Sequence, residues 1–124
     1  MAEILVLDDI QDAAQLVRKI LERRGHTVHA FTEEQEALEF ARKNKVELAI
    51  LDIKLKKMSG IQVLRQLKEI DASIKALMLT GYPTIDTARE ALDLGASEYC
   101  VKPIDKDELE KKVDTTLGLE GSGE

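Results

Sequence analysis

Short aliphatic runs alternate five times with longer stretches in which apolar residues recur every three or four positions. A continuous apolar run is typical of a strand buried on both faces, whereas the three-to-four spacing is typical of a helix with one apolar face. The alternation therefore predicts strand and helix in strict succession. The predicted strands cover residues 4–7, 27–31, 48–51, 75–79 and 99–101.

Two of the predicted helices carry a start signal. Thr32 with Gln35, and Ser59 with Gln62, have the spacing of a capping box, in which each side chain satisfies a backbone donor of the other residue. We therefore expect helices to begin directly after Thr32 and after Ser59.

Successive strands joined by helices pair in parallel with right-handed crossovers, and five such units are too few for an eight-unit barrel. The sequence therefore predicts an α/β fold with an open, doubly wound five-stranded parallel sheet and helices on both faces. The 124 residues suit one domain, which we place at residues 1–117. Residues 118–124 lose periodicity and gain glycine, which predicts a flexible tail or the start of a linker.

Composition narrows the classes of partner and compartment. Acidic residues outnumber basic ones by 24 to 18, and the net charge of -6 repels nucleic-acid phosphates and anionic lipids. No apolar run approaches the roughly 20 residues of a bilayer-spanning helix. Cys100 is the single cysteine, and no charged leader with a cleavage site opens the chain. We expect a cytoplasmic protein that binds neither nucleic acid nor membrane directly.

Polar side chains follow four of the five predicted strands. Asp8 and Asp9 come after the first strand, Asp52 after the third, Thr80 after the fourth and Lys102 after the fifth. Ligands of open parallel sheets bind beyond the carboxyl ends of the strands, so we expect these groups to converge. The second strand ends without an acid or base, as expected of an edge strand away from the crevice.

Three carboxylates in one cleft repel each other and would take up a proton unless a cation shared the site. Mg²⁺ is the natural cation because it prefers oxygen ligands and is commonly held by one or two carboxylates together with a phosphate, and Mn²⁺ is a second candidate. Lys102 would add a positive charge and Thr80 a hydroxyl donor for phosphate oxygens. The group predicts a site that cradles a phosphoryl group.

Four segments together carry a family resemblance: LVLDD, LAILDIKLKKMSG, LMLTGY and GASEYCVKPID. In this order and spacing, over residues 3 to about 117, the chain resembles a response-regulator receiver domain of bacterial two-component signalling. The resemblance implies the CheY-like, flavodoxin-like fold with strand order 2-1-3-4-5. The segment TGYPTIDTAREALDLGASEY is similar to receivers of nitrogen-regulator-type transcription activators.

The resemblance also implies a role for each residue of the cleft. Asp52 would be the phosphoacceptor, and Asp8, Asp9 and the backbone carbonyl of Lys54 would join it as ligands of Mg²⁺. The donor would be a phosphohistidine on a sensor histidine kinase. Water would later attack the aspartyl phosphate slowly, so we expect no multiple-turnover reaction on an external substrate and do not class the chain as an enzyme.

The same resemblance implies a switch. Thr80 and Lys102 would contact the phosphoryl oxygens, and Tyr99 would turn inward as Thr80 shifts. The face formed by the fourth helix, fifth strand and fifth helix would then change its packing and bind a downstream effector domain or protein. This face is also a candidate homodimer interface, with charged residues available at Arg89, Glu90, Asp107 and Lys111. The sequence leaves open whether the receiver is free-standing or part of a longer regulator.

Two other functions fit parts of the pattern. A phosphatase of the haloacid-dehalogenase type also uses a strand-end aspartate, but it needs a second acid two residues later. That position is Ile10 after Asp8, and it is Lys54 after Asp52. A module that keeps the fold without taking phosphate, and acts by partner binding alone, does not need the Asp52 and Lys102 that are present. The residues favour the phosphoacceptor over both alternatives.

The two histidines and the cysteine are assigned no chemistry. His26 and His29 have no acid or cysteine at metal-ligand spacing, so we expect them at the surface or edge near the second strand. Cys100 has no neighbouring histidine to activate it and should be a small buried apolar residue. Lys54 adds a cation near the cleft entrance, which affects the phosphoryl lifetime in a direction that the sequence leaves open.

Overall fold

The computed structural model describes residues 2–119. Within them five strands alternate with five helices, and each predicted strand is confirmed to within one residue at either end. The elements in chain order are β1 (Glu3–Leu7), α1 (Gln11–Glu22), β2 (Thr27–Phe31), α2 (Glu34–Lys43), β3 (Leu48–Leu51), α3 (Gly60–Ile70), β4 (Lys75–Thr80), α4 (Ile85–Asp93), β5 (Glu98–Val101) and α5 (Lys106–Leu117).

The five strands form one parallel sheet in the order β2-β1-β3-β4-β5. This order confirms the predicted topology, and β2 is an edge strand as its lack of a terminal acid or base indicated. The chain adds β2 on one side of β1 and then adds β3, β4 and β5 in turn on the other side. The strand order therefore reverses at β1. The crevice in which such sheets bind ligands therefore lies beyond the carboxyl ends of β1 and β3.

Apolar clusters cover both faces of the sheet, because alternate residues of a strand point to opposite sides. Leu5 and Leu7 of β1 belong to the cluster that packs against α2, α3 and α4. Ile4 and Val6 of the same strand belong to the cluster that packs against α1 and α5. Burial on both faces explains why residues 4–7 of β1 and residues 48–51 of β3 are apolar without interruption.

The two capping predictions have opposite outcomes. At α3, the Ser59 hydroxyl accepts the Gln62 N–H at 3.2 Å and the Gln62 side chain accepts the Ser59 N–H at 3.0 Å, so this capping box is confirmed. The prediction at Thr32 is wrong. α2 begins at Glu34 with Glu33 as its N-cap and without a capping side chain. Thr32 therefore lies one position too early for its hydroxyl to cap the first turn.

His26 is buried, and its predicted surface position is wrong. The residue is 7% exposed, and its Nδ1 accepts the Ala2 N–H at 3.1 Å. Burial lowers the pKa of this imidazole, and a neutral ring with a satisfied acceptor packs like other core residues. His29 lies half-buried on the edge strand β2. Cys100 is buried as predicted, and burial raises the pKa of its thiol.

α5 ends at Leu117, and the next residue, Gly118, has a φ of 75°, the left-handed conformation that favours glycine after a helix. The predicted tail, residues 118–124, begins at this point, and residues 120–124 lie outside the described residues. Like the other four helices within residues 2–119, α5 lacks the combination of length and apolar character needed to cross a bilayer.

Candidate functional site

The carboxyl ends of four strands meet at one edge of the sheet. Asp8 directly follows β1, Asp52 directly follows β3, and Thr80 is the last residue of β4. Lys102 directly follows β5, and its backbone N–H donates to the Thr80 carbonyl at 2.8 Å. Because β1, β3, β4 and β5 are consecutive in the sheet, the topology brings these residues to one crevice, as predicted.

Asp8, Asp9 and Asp52 form a carboxylate cluster in this crevice. Each offers one carboxylate oxygen, and these three oxygens lie within 4.8 Å of one another. Asp8 and Asp52 are only 5% and 6% exposed, so water can relieve little of their mutual repulsion. A divalent cation that prefers hard oxygen ligands suits this donor set. The geometry thus fits the predicted Mg²⁺, and equally Mn²⁺.

The Lys102 side chain reaches into the cluster. Its Nζ donates to Asp8 Oδ2 at 2.5 Å and to Asp52 Oδ2 at 2.9 Å. Burial acts to lower the pKa of Lys102, but the two carboxylates outweigh it and raise the pKa above its usual value. Lys102 is therefore a charged ammonium shared by two carboxylates from different strands.

Backbone contacts fix Asp52 on both sides. Its N–H donates to the Leu7 carbonyl at 3.0 Å, and its Oδ1 accepts the Lys54 N–H at 3.3 Å. Lys54 belongs to the β3–α3 loop, residues 52–59, which leads from the strand end to α3. The loop backbone at Lys54 is thus coupled to the Asp52 carboxylate, while the role of the Lys54 carbonyl as a metal ligand stays a prediction.

Thr80 and Tyr99 form contacts outside the carboxylate cluster. Thr80 is fully buried, and its Oγ1 accepts the Tyr82 N–H at 3.1 Å. The half-buried Tyr99 accepts the Thr84 N–H at its hydroxyl, at 3.3 Å, and hydrogen-bonds to the Thr87 hydroxyl at 2.7 Å. Because Thr84 is the N-cap of α4, Tyr99 links β5 to the start of that helix. The switch roles of Thr80 and Tyr99 stay predictions.

The crevice opens through a cleft of about 280 Å³. Lys54 and Tyr82 line its mouth, and the Lys54 Nζ lies 4.3 Å from the centre of the Tyr82 ring. This distance is that of a cation–π contact. Asp9, Asp52 and Lys102 line the same cleft, so the Lys54–Tyr82 pair lies beside the opening through which solvent reaches Asp52.

Two residues that the sequence did not single out also support the site. A Cβ built on Gly60, the first residue of α3, would lie 1.9 Å from the Asp52 carbonyl oxygen. Glu34, the first residue of α2, accepts the backbone N–H groups of Lys57 and Met58 in the β3–α3 loop. A glutamate in the first turn of a helix is ordinary, so Glu34 gave no signal. The glycine at the helix start was the visible signal of a close approach.

Lys102→Ala should destabilise the fold in the absence of divalent cations. The substitution leaves buried Asp8 and Asp52 without their shared ammonium, and because the Lys102 side chain is 25% exposed we expect a loss of about 2 kcal/mol of unfolding free energy. Saturating Mg²⁺ should recover part of this loss by offsetting the same carboxylates. Urea unfolding with and without Mg²⁺ measures both effects.

Lys43→Ala is the matched control for this experiment. It removes an exposed lysine paired with Glu39 and should change the unfolding free energy by less than about 0.5 kcal/mol. An unfolding midpoint that is the same for Lys102→Ala and the wild type would contradict the electrostatic role of the Lys102 ammonium.

The chain matches a protein-family model and individual relatives. The model of the response regulator receiver domain matches residues 4–114. The transcriptional regulatory protein ZraR of Klebsiella oxytoca is 35% identical over 115 residues, which are 93% of this chain and 26% of ZraR. Sporulation initiation phosphotransferase F of Bacillus subtilis strain 168 is 30% identical over 120 residues, 97% of each chain. The chain thus spans about a quarter of the transcriptional regulator and nearly all of the phosphotransferase.

Solved structures share the fold. The CheY-like response regulator receiver domain protein of Methanospirillum hungatei JF-1 has a TM-score of 0.92 at 29% identity, covering 95% of this chain and 94% of that one. A response regulator of Burkholderia pseudomallei, solved with a phosphorylated aspartic acid, a calcium ion and citrate, has a TM-score of 0.86 at 31% identity, covering 95% and 69%. Together with the strand order and the carboxylate crevice, these matches show that the chain belongs to the family of response-regulator receiver domains.

Proposed function

We propose that this receiver domain takes a phosphoryl group onto Asp52 from the phosphohistidine of a sensor histidine kinase. The observation that carries the proposal is the crevice itself, where Lys102 bonds to Asp8 and Asp52 and Asp9 completes the carboxylate cluster. Such a group can hold a divalent cation and a phosphoryl group together. The Burkholderia relative with its phosphorylated aspartic acid and calcium ion supports the same assignment.

The transfer follows from what the side chains of the crevice can do. A carboxylate oxygen of Asp52 attacks phosphorus in line, the P–N bond to the donor imidazole breaks, and the imidazole nitrogen keeps the electron pair. The Lys102 ammonium, already beside Asp52, neutralises charge on the phosphoryl oxygens, and the Thr80 hydroxyl donates to one of them. Water later attacks the acyl phosphate and restores the carboxylate, so the chain itself is the substrate.

The ligands of the divalent cation would come from three strand-end carboxylates and one loop carbonyl: Asp8, Asp9, Asp52 and Lys54. Bound Mg²⁺ supplies positive charge that offsets both the carboxylates and the incoming phosphoryl oxygens. Asp8 and Asp9 hold that charge beside Asp52. Because the donor set is all oxygen, Mn²⁺ should support the same transfer.

A groove beside the crevice is a suitable docking surface for the kinase. The groove measures about 390 Å³ and lies between α1 and the start of α5. Leu16 on α1 is 60% exposed, and Pro103 and Ile104 line the other side. Asp8 and Lys102 also line the groove, so it borders the carboxylate cluster. A kinase helix bound there would present its phosphohistidine to Asp52.

The switch would begin at Thr80. Phosphorylation adds about one negative charge and new acceptor oxygens at Asp52, toward which the Thr80 hydroxyl can turn from its contact with Tyr82. Tyr99 then loses or changes its hydrogen bonds to the start of α4. The result is a shift between two packings of the face formed by α4, β5 and α5.

That face carries the features of a binding surface. Ile85 and Leu92 of α4 and Val101 of β5 are apolar and 76%, 55% and 49% exposed. Exposed charges surround them on α4 and α5, at Arg89, Glu90, Asp107 and Lys111. An apolar centre with a charged rim suits an isologous dimer or an effector domain.

The function is tested by incubating the full chain with Mg²⁺ and acetyl phosphate and measuring the intact mass. We expect one phosphoryl group per chain, gained only with a divalent cation and lost slowly by hydrolysis. No mass increase would indicate a receiver fold that acts by partner binding alone. Release of phosphate from a small phosphoester over many turnovers would instead indicate the phosphatase.

Lys54→Ala should shorten the lifetime of the aspartyl phosphate. The substitution removes the ammonium that lies over the Tyr82 ring at the cleft mouth and gives water a wider path to phosphorus. An exposed cation–π contact is worth ~0.7 kcal/mol. Its loss should lower the free-energy cost of opening the cleft mouth to water by this amount, so we expect dephosphorylation to become about threefold faster. The decay of the phosphorylated intact mass measures this rate.

Lys56→Ala is the control on the same loop, because the Lys56 ammonium pairs with Glu33 at 3.6 Å instead. Its decay rate should equal that of the wild type. Equal decay rates for Lys54→Ala and the wild type would show that the Lys54–Tyr82 pair does not limit access to Asp52.

A further inference from the structure

Glu34 is a buried carboxylate at the first position of α2. It is 1% exposed, whereas Gln35 and Glu36, which follow it, are exposed. A carboxylate is costly to bury unless hydrogen-bond donors compensate for the lost water. The surroundings of Glu34 should therefore contain specific donors.

Those donors come from the β3–α3 loop. Glu34 Oε2 accepts the backbone N–H of Lys57 at 2.6 Å and that of Met58 at 3.1 Å. Burial acts to raise the pKa of the Glu34 carboxyl, but the backbone donors outweigh it and hold the pKa below its usual value. The carboxylate is thus ionised and bonded to two consecutive amides of the loop.

The other carboxylate oxygen shows that the arrangement is not optimised for stability. Glu34 Oε1 is buried and has no hydrogen-bond partner among the described residues. An ionised side chain with one bare buried oxygen stabilises a fold less well than an apolar side chain of similar volume. The contact between Glu34 and the β3–α3 loop is therefore better explained by the role of that loop at Asp52 than by stability.

The loop that Glu34 holds leads directly to the phosphoacceptor. At its beginning the Lys54 N–H donates to Asp52 Oδ1 at 3.3 Å, and at its end the Gly60 N–H donates to the Ile53 carbonyl at 2.7 Å. The Lys57–Met58 turn is the segment between these two attachments. With Glu34 in place, the loop is fixed at its start, middle and end.

We propose that Glu34 is a positioning residue for the divalent-cation site, acting through the β3–α3 loop. By holding the Lys57–Met58 turn it keeps the backbone at Lys54 in the course that presents both its N–H to Asp52 and its carbonyl to the cation. Glu34 is not itself a ligand, because within residues 2–119 the carboxylates whose oxygens lie together at the site are Asp8, Asp9 and Asp52. The inference rests on the proposed function, which supplies the cation and the role of the Lys54 carbonyl.

The test compares Mg²⁺ affinity among Glu34→Ala, Glu34→Gln and Glu36→Ala, by NMR titration of the full chain at a temperature where each variant is folded. Loss of a group that orients metal ligands typically weakens binding tenfold or more, so we expect a Kd about tenfold higher for Glu34→Ala. Glu34→Gln keeps an acceptor without the charge and should raise the Kd about threefold. Glu36→Ala, an exposed acid in the same helical turn, should match the wild type.

Hydrogen exchange in the absence of metal gives a second measurement. Both Glu34 variants should exchange the Lys57 and Met58 amides faster, and Glu36→Ala should not. If Glu34→Ala fails to fold, Glu34→Gln decides the question on the same two measurements.

The outcomes separate this inference from the proposed function. A wild-type chain that binds no Mg²⁺ would overturn the cation site, and with it the inference. A wild-type chain that binds Mg²⁺ while a folded Glu34 variant binds equally well would overturn the inference alone. An equal loss of affinity in Glu36→Ala would also overturn it, because the effect would then be the loss of a negative charge on α2.

Discussion

Asp52→Asn is expected to abolish phosphorylation of the chain while leaving the fold intact. The amide oxygen of Asn carries no negative charge and is a much weaker nucleophile than a carboxylate oxygen, so transfer should slow by at least about a thousandfold. Asn has nearly the same volume as Asp, and its side-chain oxygen can still accept the Lys54 N–H. Intact mass after incubation with Mg²⁺ and acetyl phosphate measures the loss.

Asp12→Asn provides the control for this substitution. Asp12 is an exposed acid in the first turn of α1, so the change in charge is the same but lies outside the carboxylate cluster. We expect its phosphorylation to match the wild type. If Asp52→Asn gained a phosphoryl group at the wild-type rate, the acceptor would be another residue and the assignment of Asp52 would be wrong.

Gly60→Ala should cause the largest loss of stability of any single methyl addition at the site. The added Cβ would lie 1.9 Å from the carbonyl oxygen of Asp52 and 2.9 Å from the Cα of Ile53, and both contacts are with backbone that no rotamer change can move. We expect the unfolding free energy to fall by about 3 kcal/mol. Urea unfolding measures this change. Because relief of the clash must displace Asp52 or α3, phosphorylation of the surviving folded protein should also be slower.

Gly81→Ala separates this effect from the general cost of replacing glycine. A Cβ built on Gly81 meets nothing within 4 Å, and the backbone there is not left-handed. This variant should differ from the wild type by less than about 0.5 kcal/mol. Equal stabilities of Gly60→Ala and Gly81→Ala would mean that α3 does not pack against Asp52 as closely as the structure indicates.

The sheet and the convergence of the site could be predicted because they depend on local patterns. The run at 48–51 is apolar throughout, which identifies a central strand, and Asp52 directly after it must then lie at the carboxyl edge. The same reasoning applies to Asp8, Thr80 and Lys102. Once the strands are parallel and the crossovers are right-handed, few relative positions are possible for residues that are far apart in the chain.

Contacts between elements could not be predicted in this way. The bond from Glu34 to the Lys57 and Met58 amides joins the start of one helix to a loop 23 and 24 positions away, and no periodicity marks it. The start of α2 shifted by one residue, which removed Thr32 from the cap. His26 became buried because one backbone donor satisfied its ring. For Glu34 and His26 a tertiary contact decided what the local sequence left undetermined.

Lys102 bridges two carboxylates and places a positive charge in the crevice. The proposed phosphoryl transfer would require a positive charge at the same place. The single positive charge of Lys102 offsets part of the negative charge of Asp8 and Asp52 before any phosphoryl group arrives. In the proposed transfer to Asp52, the same cation would contact the phosphoryl oxygens with little movement. Such prior placement of charge avoids reorganisation at the moment of reaction.

Locating the phosphoryl group within the chain tests the assignment of Asp52 most directly. Borohydride reduces an aspartyl phosphate to homoserine, so peptide fragmentation after reduction identifies the acceptor position. We predict homoserine at position 52 alone, and only when Mg²⁺ and a phosphoryl donor are both present. Homoserine at position 8 or 9, or a phosphorylated chain without any homoserine, would contradict Asp52 as the phosphoacceptor.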